Sequence, residues 1–305
     1  MSKVLLFAHP GGEHVPPARP ARGEVTYLWN TNAAHRRKFL ICRAEIAQVH
    51  RGLYAVSREA RDVSLWGEWE PPSLAGRYTP SQEPMLPQAW HRPLPGEAAL
   101  NDAPRSAQNT DPWIFGPVMR YSNCRQLRHP SLRELDPGDV VFFGSLKKRD
   151  QDGAPAERFG FFLDTVFVVG SAAGHPPHPT EEHDLLFRRA VLERLASNLR
   201  PRLTLYKGRM LHPQGEAGLF SWVPCRPLVS GDPEHGQFAR PMINQVLGLV
   251  DVGSNPRLPY REVELAPDLA WKLVADRCTS LGLNMAIRID PVADQSSHAE
   301  RTAVA

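Results

Sequence analysis

Two glutamates set among tryptophans, in Trp66-Gly67-Glu68-Trp69-Glu70-Pro71, are the densest group of chemistry-capable side chains in this sequence. In an extended segment alternate side chains share a face, so Trp66, Glu68 and Glu70 are expected to project one way and Trp69 the other. Two acids beside large apolar surfaces suit proton transfer, because an apolar wall raises one pKa while a neighbouring acid stays ionised. They suit the gripping of a flat polar ring equally well.

Three further polar clusters flank this one: Asn30-Thr31-Asn32, Asn109-Thr110-Asp111-Pro112 and Tyr121-Ser122-Asn123-Cys124. Their amides and carboxylate match the edge of a base or sugar, although the same sequences are ordinary turn and cap chemistry. His35-Arg36-Arg37-Lys38 offers either charge-assisted bonds to phosphate or a solvated basic face. The candidate catalytic acids are therefore Glu68, Glu70 and Asp111. The candidate substrate-binding residues are Asn30, Asn32, Trp66, Trp69, Asn109 and Tyr121, and the candidate phosphate-binding residues are His35, Arg36, Arg37 and Lys38. Trp90, Trp113 and Phe115 extend the aromatic supply for base stacking or for a core. Lys147-Lys148-Arg149, Arg188-Arg189, Arg200, Arg202, Lys207 and Arg209 read mostly as ordinary surface charge.

Metal and thiol chemistry are not expected. His9-Pro10-Gly11-Gly12-Glu13-His14 superficially resembles the His-Pro-Asp-Asp-Glu motif of zinc-dependent deacetylases, but glycines stand where that motif has its acids. His175, His178, Glu181, Glu182 and His183 share a proline-stiffened linker ill suited to converge on one ion. Cys124 as a nucleophile needs a base such as His91 or His129 beside it, against the alternative of an inert buried thiol. The expectation is a site with no metal and no cofactor.

The elements that must position these residues are short. The 305 residues are 42% apolar and include 30 prolines and 22 glycines, which breaks long helices and central strands. A formal charge of +3 falls short of the strongly basic balance that announces a nucleic-acid binder. Four scattered cysteines suggest neither a zinc knuckle nor a disulfide framework, so reduced thiols and a cytoplasmic location are expected. No apolar run reaches membrane-spanning length, and Val4 to Ala8 is too short for a signal-peptide core.

Val4 to Ala8 reads as a buried strand, Lys38 to Val56 as a strand passing into a helix, and Pro71 to Ala107, with eight prolines, as a long loop. Pro137-Gly138-Asp139 turns into a strand over 140–144 that pairs with another over 159–169. Glu181 to Leu199 has the apolar spacing and charge order of a helix, and Leu269 to Leu281 reads as a helix closed by Gly282. Leu203 to Tyr206 and Leu219 to Val223 read as short strands, and 294–305 as a disordered tail. The expected organisation is a mainly β region over 1–170 carrying the pocket, a linker over 171–184, and an α+β region over 185–293 packed on it.

Leu135-Asp136-Pro137-Gly138-Asp139-Val140-Val141-Phe142-Phe143, followed by Phe161-Phe162-Leu163-Asp164-Thr165-Val166-Phe167-Val168, resembles the small PUA-like barrels, including the ASCH and EVE groups. The likeness covers 135–169. It implies a barrel with a cleft in which a base is held out of its stack, and RNA or modified DNA as the partner. The fold class expected is α+β: a mainly β PUA-like barrel or mixed sheet with long proline-rich loops and a few peripheral helices. The function expected is recognition of a flipped or modified base in DNA or RNA, with hydrolysis of its N-glycosidic bond by a glycosylase-type reaction. The alternatives are a non-catalytic modified-base or RNA reader and a small-molecule enzyme acting on a nucleoside-like substrate.

Overall fold

The computed structural model describes residues 2–8, 12–15, 25–30, 35–57, 59–79, 85–94, 101–104, 106–122, 132, 134–149, 158–173, 185–196, 204–249 and 260–291. Among them, strands predominate. They are β1 (Val4–Ala8), β2 (Val25–Tyr27), β3 (Arg37–His50), β4 (Leu53–Val56), β5 (Arg61–Glu68), β6 (Ser73–Arg77) and β7 (Ala89–Pro93). They continue with β8 (Arg120–Ser122), β9 (Val140–Arg149), β10 (Arg158–Ala173), β11 (Leu205–Gly208), β12 (Val223–Pro227), β13 (Tyr260–Val263) and β14 (Asn284–Asp290). Helix is limited to α1 (Leu185–Phe187), a π-helical turn (Arg188–Leu192), α2 (Glu193–Ala196) and α3 (Pro267–Ser280). No helix among the described residues is long and apolar enough to cross a membrane.

The strands form two mixed sheets, one ordered β13-β1-β9-β10-β11-β8 and the other β14-β12-β5-β3-β7-β6-β2, with β4 paired to β3 and β14 also paired to β3. The last pairing closes β3, β5, β12 and β14 into a circuit. A mostly β architecture with few helices agrees with the α+β expectation. Both sheets draw strands from either side of 171–184, so the expected linker does not separate two sheets.

Apolar sequence explains the central strands. β1, β9 and β10 are buried on both faces: Leu5, Phe7, Val141, Phe143, Phe167 and Val169 enter one core, and Val4, Leu6, Val140, Phe142, Val166 and Val168 another. A strand covered on both sides reads as a continuous apolar run. The expected pairing of β9 with β10 is present and antiparallel. The Pro137-Gly138-Asp139 turn leads into β9 with Gly138 at φ +95°. The Asp139 carboxylate accepts bonds from the backbone N–H groups of Lys3 at 2.8 Å and Asp136 at 2.9 Å, tying the starts of β1 and β9 together.

Three expectations need correction. Over 38–56 the chain stays extended through β3 and returns as β4, because Arg51 (φ 50°) and Gly52 (φ 81°) make a two-residue hairpin turn of the type whose twist suits antiparallel strands. Helical spacing of three apolar residues is outweighed by sheet pairing on both edges of β3. The proline-rich stretch 71–107 contains β6 and β7, an antiparallel pair whose prolines sit at the ends or outside the ladder. Over 219–223 only the last residue belongs to a strand, β12, although Trp222 bridges Val166 of β10.

The helix over Leu269 to Leu281 is α3, opened by Pro267 at its first turn and followed by Gly282 at φ +70°. Helix within 181–199 is described over 185–196 and includes the π-turn. The strand expected at 203–206 is β11, and the tail over 294–305 lies outside the described residues.

Candidate active site

The site begins with the register of β3 against β5, which sets Arg37 opposite Glu68. His35 lies two residues before Arg37 and Glu70 two residues after Glu68, so a two-residue repeat carries all four to the same end of the strand pair. His35 Nδ1 is 2.5 Å from Glu68 Oε1 and 3.5 Å from Glu70 Oε1, and Arg37 Nη1 donates to Glu68 Oε2 at 3.3 Å. The 106–116 segment supplies the third acid. Asp111 N–H donates to Glu68 Oε2 at 3.2 Å, and Thr110 Oγ1 accepts from Glu70 N–H at 3.1 Å. Asn30 joins through its backbone, its N–H donating to the Glu70 carbonyl at 2.9 Å and its carbonyl accepting from Gln108.

A fourth acid comes from the other sheet. The β9–β10 register slips between Leu163 and Thr165, leaving Asp164 as the extra residue of a bulge. Before it, Phe161 and Leu163 face one core, and after it Val166 and Val168 face that same core, so the bulge shifts the alternation by one. Asp164 Oδ2 meets Arg37 Nε at 2.5 Å, and its Oδ1 lies 3.4 Å from Arg240 Nη1, which also donates to Ser145 Oγ at 2.6 Å. Arg37 thus clamps Glu68 of one sheet to Asp164 of the other.

Burial sets the electrostatics. Glu68, Glu70, Asp111, Asp164, Arg37, Lys38 and Arg240 are all buried, while His35 keeps 13% of its side chain exposed. Burial alone would lower the pKa of His35, but the charges and hydrogen bonds of Glu68 and Glu70 outweigh it and raise the value to about 10. Burial and then Glu68 push Asp111 well up, against the pull of His35, Arg37 and the Ser122 N–H. Glu70 is raised by burial and by Glu68, with His35 and Lys38 opposing. Lys38 donates to the Trp69 carbonyl, and burial lowers its pKa to about 8 although Glu70 and Glu68 partly restore it.

A second polar chain lies beyond Lys38. His14 Nδ1 is 3.3 Å from His91 Nε2, His91 Nδ1 is 3.0 Å from Ser73 Oγ, and the Tyr27 ring packs edge-on to His14 at 4.2 Å. Burial, followed by Lys38 and Arg36, lowers His14 to about 3, and burial with Lys38 and His14 lowers His91 well below the usual imidazole value.

The structure therefore brings together Glu68, Glu70, Asp111, His35, Arg37 and Lys38, with Asn30 and Asn109 adjoining in sequence or backbone contact. It separates the expected stacking residues from the acids. Trp66 packs with Phe39 in one core, its Nε1–H bonded to the Phe238 carbonyl, and Trp69 packs with Trp113 and Phe115 in the other. Tyr121 lies among Phe7, Phe143 and Tyr206. These rings fill the interior and do not form a surface platform. Of the residues assigned to phosphate, Arg37 and Lys38 point inward at carboxylates and a carbonyl, His35 is 13% exposed and contacts Glu68 and Glu70, and Arg36 is exposed.

Asn32, His9, Cys124, His129 and the His175 to His183 group lie outside the described residues. Asp164 and Arg240 were missed because an aspartate inside a β-rich run and an arginine in a loop carry no local signal. Comparison of the chain with models of known families, with curated proteins and with solved structures gives no significant match.

Proposed function

We propose that this chain is a hydrolase that breaks the N-glycosidic bond of a nucleobase-bearing substrate by carboxylate acid–base chemistry. The observation that carries the reading is the convergence of Glu68, Glu70 and Asp111 with His35 on one buried cluster from three separate stretches of chain. Acids in one site with unlike surroundings take unlike roles. Glu68, between the His35 and Arg37 cations, is placed to stabilise a cationic sugar or orient water. Asp111, whose pKa burial and Glu68 push well above the ordinary carboxylate range, is the proton donor to the leaving base. Asn30 and Asn109 supply amides for the polar edge of the base.

The nucleobase half of the proposal rests on the likeness of 135–169 to PUA-like barrels, and includes a barrel cleft as the place of the ligand. The substrate is either a base flipped out of DNA or RNA or a free nucleoside. The inward turn of Arg37 and Lys38 favours the nucleoside, since it removes two of the four cations assigned to backbone phosphate. The test is to incubate the protein with single- and double-stranded DNA and RNA bearing ordinary or modified bases, and with free nucleosides, at two salt concentrations. Base release from polymer, with binding that weakens steeply with salt, supports the flipped base. Release from nucleosides alone supports the small substrate, retention of polymer without product supports a reader, and neither product nor retention refutes the reading.

A further inference from the structure

We propose that His35, Glu68 and Glu70 form a binding site for one divalent transition-metal ion, of the zinc or cobalt type. One ligand atom from each lies within 4.8 Å of the other two, and both glutamates are fully buried. One imidazole nitrogen and two carboxylate oxygens are a donor set that zinc accepts, with bond lengths of about 2.0–2.2 Å. Such bonds put neighbouring donors roughly 3.0–3.5 Å apart in tetrahedral geometry. The 3.5 Å between His35 Nδ1 and Glu70 Oε1 already fits, and the 2.5 Å between His35 and Glu68 opens by about an ångström when the ion enters. His35 is the ligand that would make that adjustment, being the only partly exposed member of the three.

A second observation points the same way. The Glu70 side chain is wholly buried, its Oε1 is held only by the long 3.5 Å contact with His35 Nδ1, and its Oε2 accepts no hydrogen bond among the described residues. A buried carboxylate oxygen left without a hydrogen bond is costly, and a bound cation would satisfy it.

The ion would leave Asp111 as the acid–base group and add a centre that lowers the pKa of bound water. The inference stands without the proposed hydrolysis, because binding is read with no substrate present. The test is equilibrium dialysis of the full chain, stripped with EDTA, against ZnCl2, and titration with CoCl2 followed by its visible absorption bands. One ion per chain is expected, with affinity at least about tenfold weaker in Glu70→Gln and in His35→Gln. Asp232→Asn, which removes the exposed Asp232–His235 contact at 2.6 Å, is expected to bind as the parent does. His35→Gln serves should Glu70→Gln fail to fold, since His35 is the less buried. Absence of bound ion in the parent, or undiminished affinity in His35→Gln, overturns the site.

Discussion

Replacing Arg37 with methionine removes a side chain that joins Glu68 of β5 to Asp164 of β10. The guanidinium is 2% exposed and contacts Glu68 at 3.3 Å and Asp164 at 2.5 Å. Methionine fills much of the volume, so the loss is electrostatic: two buried carboxylates lose a shared cation and retain other partners, among them His35 and the Asp111 N–H for Glu68 and Arg240 for Asp164. Removing one member of a buried pair costs about 3–5 kcal/mol. At about 2.1 cal/mol/K per residue, 305 residues give an unfolding entropy near 0.64 kcal/mol/K, so Arg37→Met lowers Tm by about 5–8 °C. Asp164→Asn relieves part of the uncompensated charge, so Arg37→Met/Asp164→Asn loses about 0.5–3 kcal/mol less than the two single losses combined. Calorimetry or denaturant unfolding of the four proteins reads both effects. A Tm shift under about 1 °C, or strict additivity, would show that the clamp between the sheets contributes nothing.

Acidification separates the second polar chain from the first. His14 is neutral when folded, with its pKa lowered to about 3, whereas the unfolded chain takes up a proton below about 6.5. The unfolded state therefore binds more protons, and His14 removes stability as pH falls through 6.5, by about 1.4 kcal/mol at pH 5.5. Denaturant unfolding at pH 7.5 and 5.5 should show His14→Gln losing that much less on acidification than the parent; equal losses count against a neutral His14. Gly144→Ala drives a Cβ to 2.2 Å from the Phe162 carbonyl oxygen and 2.7 Å from the Phe161 ring. Because backbone must move, a loss of about 3 kcal/mol is expected in an unfolding titration, the upper end of overpacking, and a neutral result contradicts the close approach of β9 and β10. Trp66→Phe removes the 3.0 Å bond to the Phe238 carbonyl and the contact beneath Arg240. It should cost about 1–3 kcal/mol while leaving any nucleic-acid retention unchanged; weakened retention at unaltered stability would restore Trp66 as a stacking residue.

How far the sequence carried differs between the fold and the site, for reasons visible in particular residues. β1, β9, β10 and α3 were legible because local composition and global burial agree there: Val, Leu and Phe runs bounded by Gly138, and a Pro267 to Gly282 frame around α3. β6 and β7 were not, since proline density argues for loop unless the pairing partner is known. The helix expected within 38–56 failed because β3 pairs with β5 over 37–44 and with β14 over 43–47, and that long-range pairing overrides three-residue spacing.

At the site, Glu68, Glu70, Asp111 and His35 were picked by type and neighbourhood. Their meeting depends on the Arg37–Glu68 register, which no local pattern reveals. Asp164 depends on a bulge, and a bulge becomes visible only when both strands are in place. The burial of Trp66 and Trp69 in two different cores was not legible, because an indole beside an acid in sequence says nothing about which core will take it.

The central claim is that the buried acids carry out hydrolysis, and the most direct measurement is base release by the parent, Glu68→Gln and Asp111→Asn on the nucleoside and oligonucleotide set. The account predicts release by the parent and at least about a hundredfold slower release by both variants, with substrate retention preserved. Release by Glu68→Gln at the parental rate would contradict it, as would a folded parent that releases base from no substrate in the set.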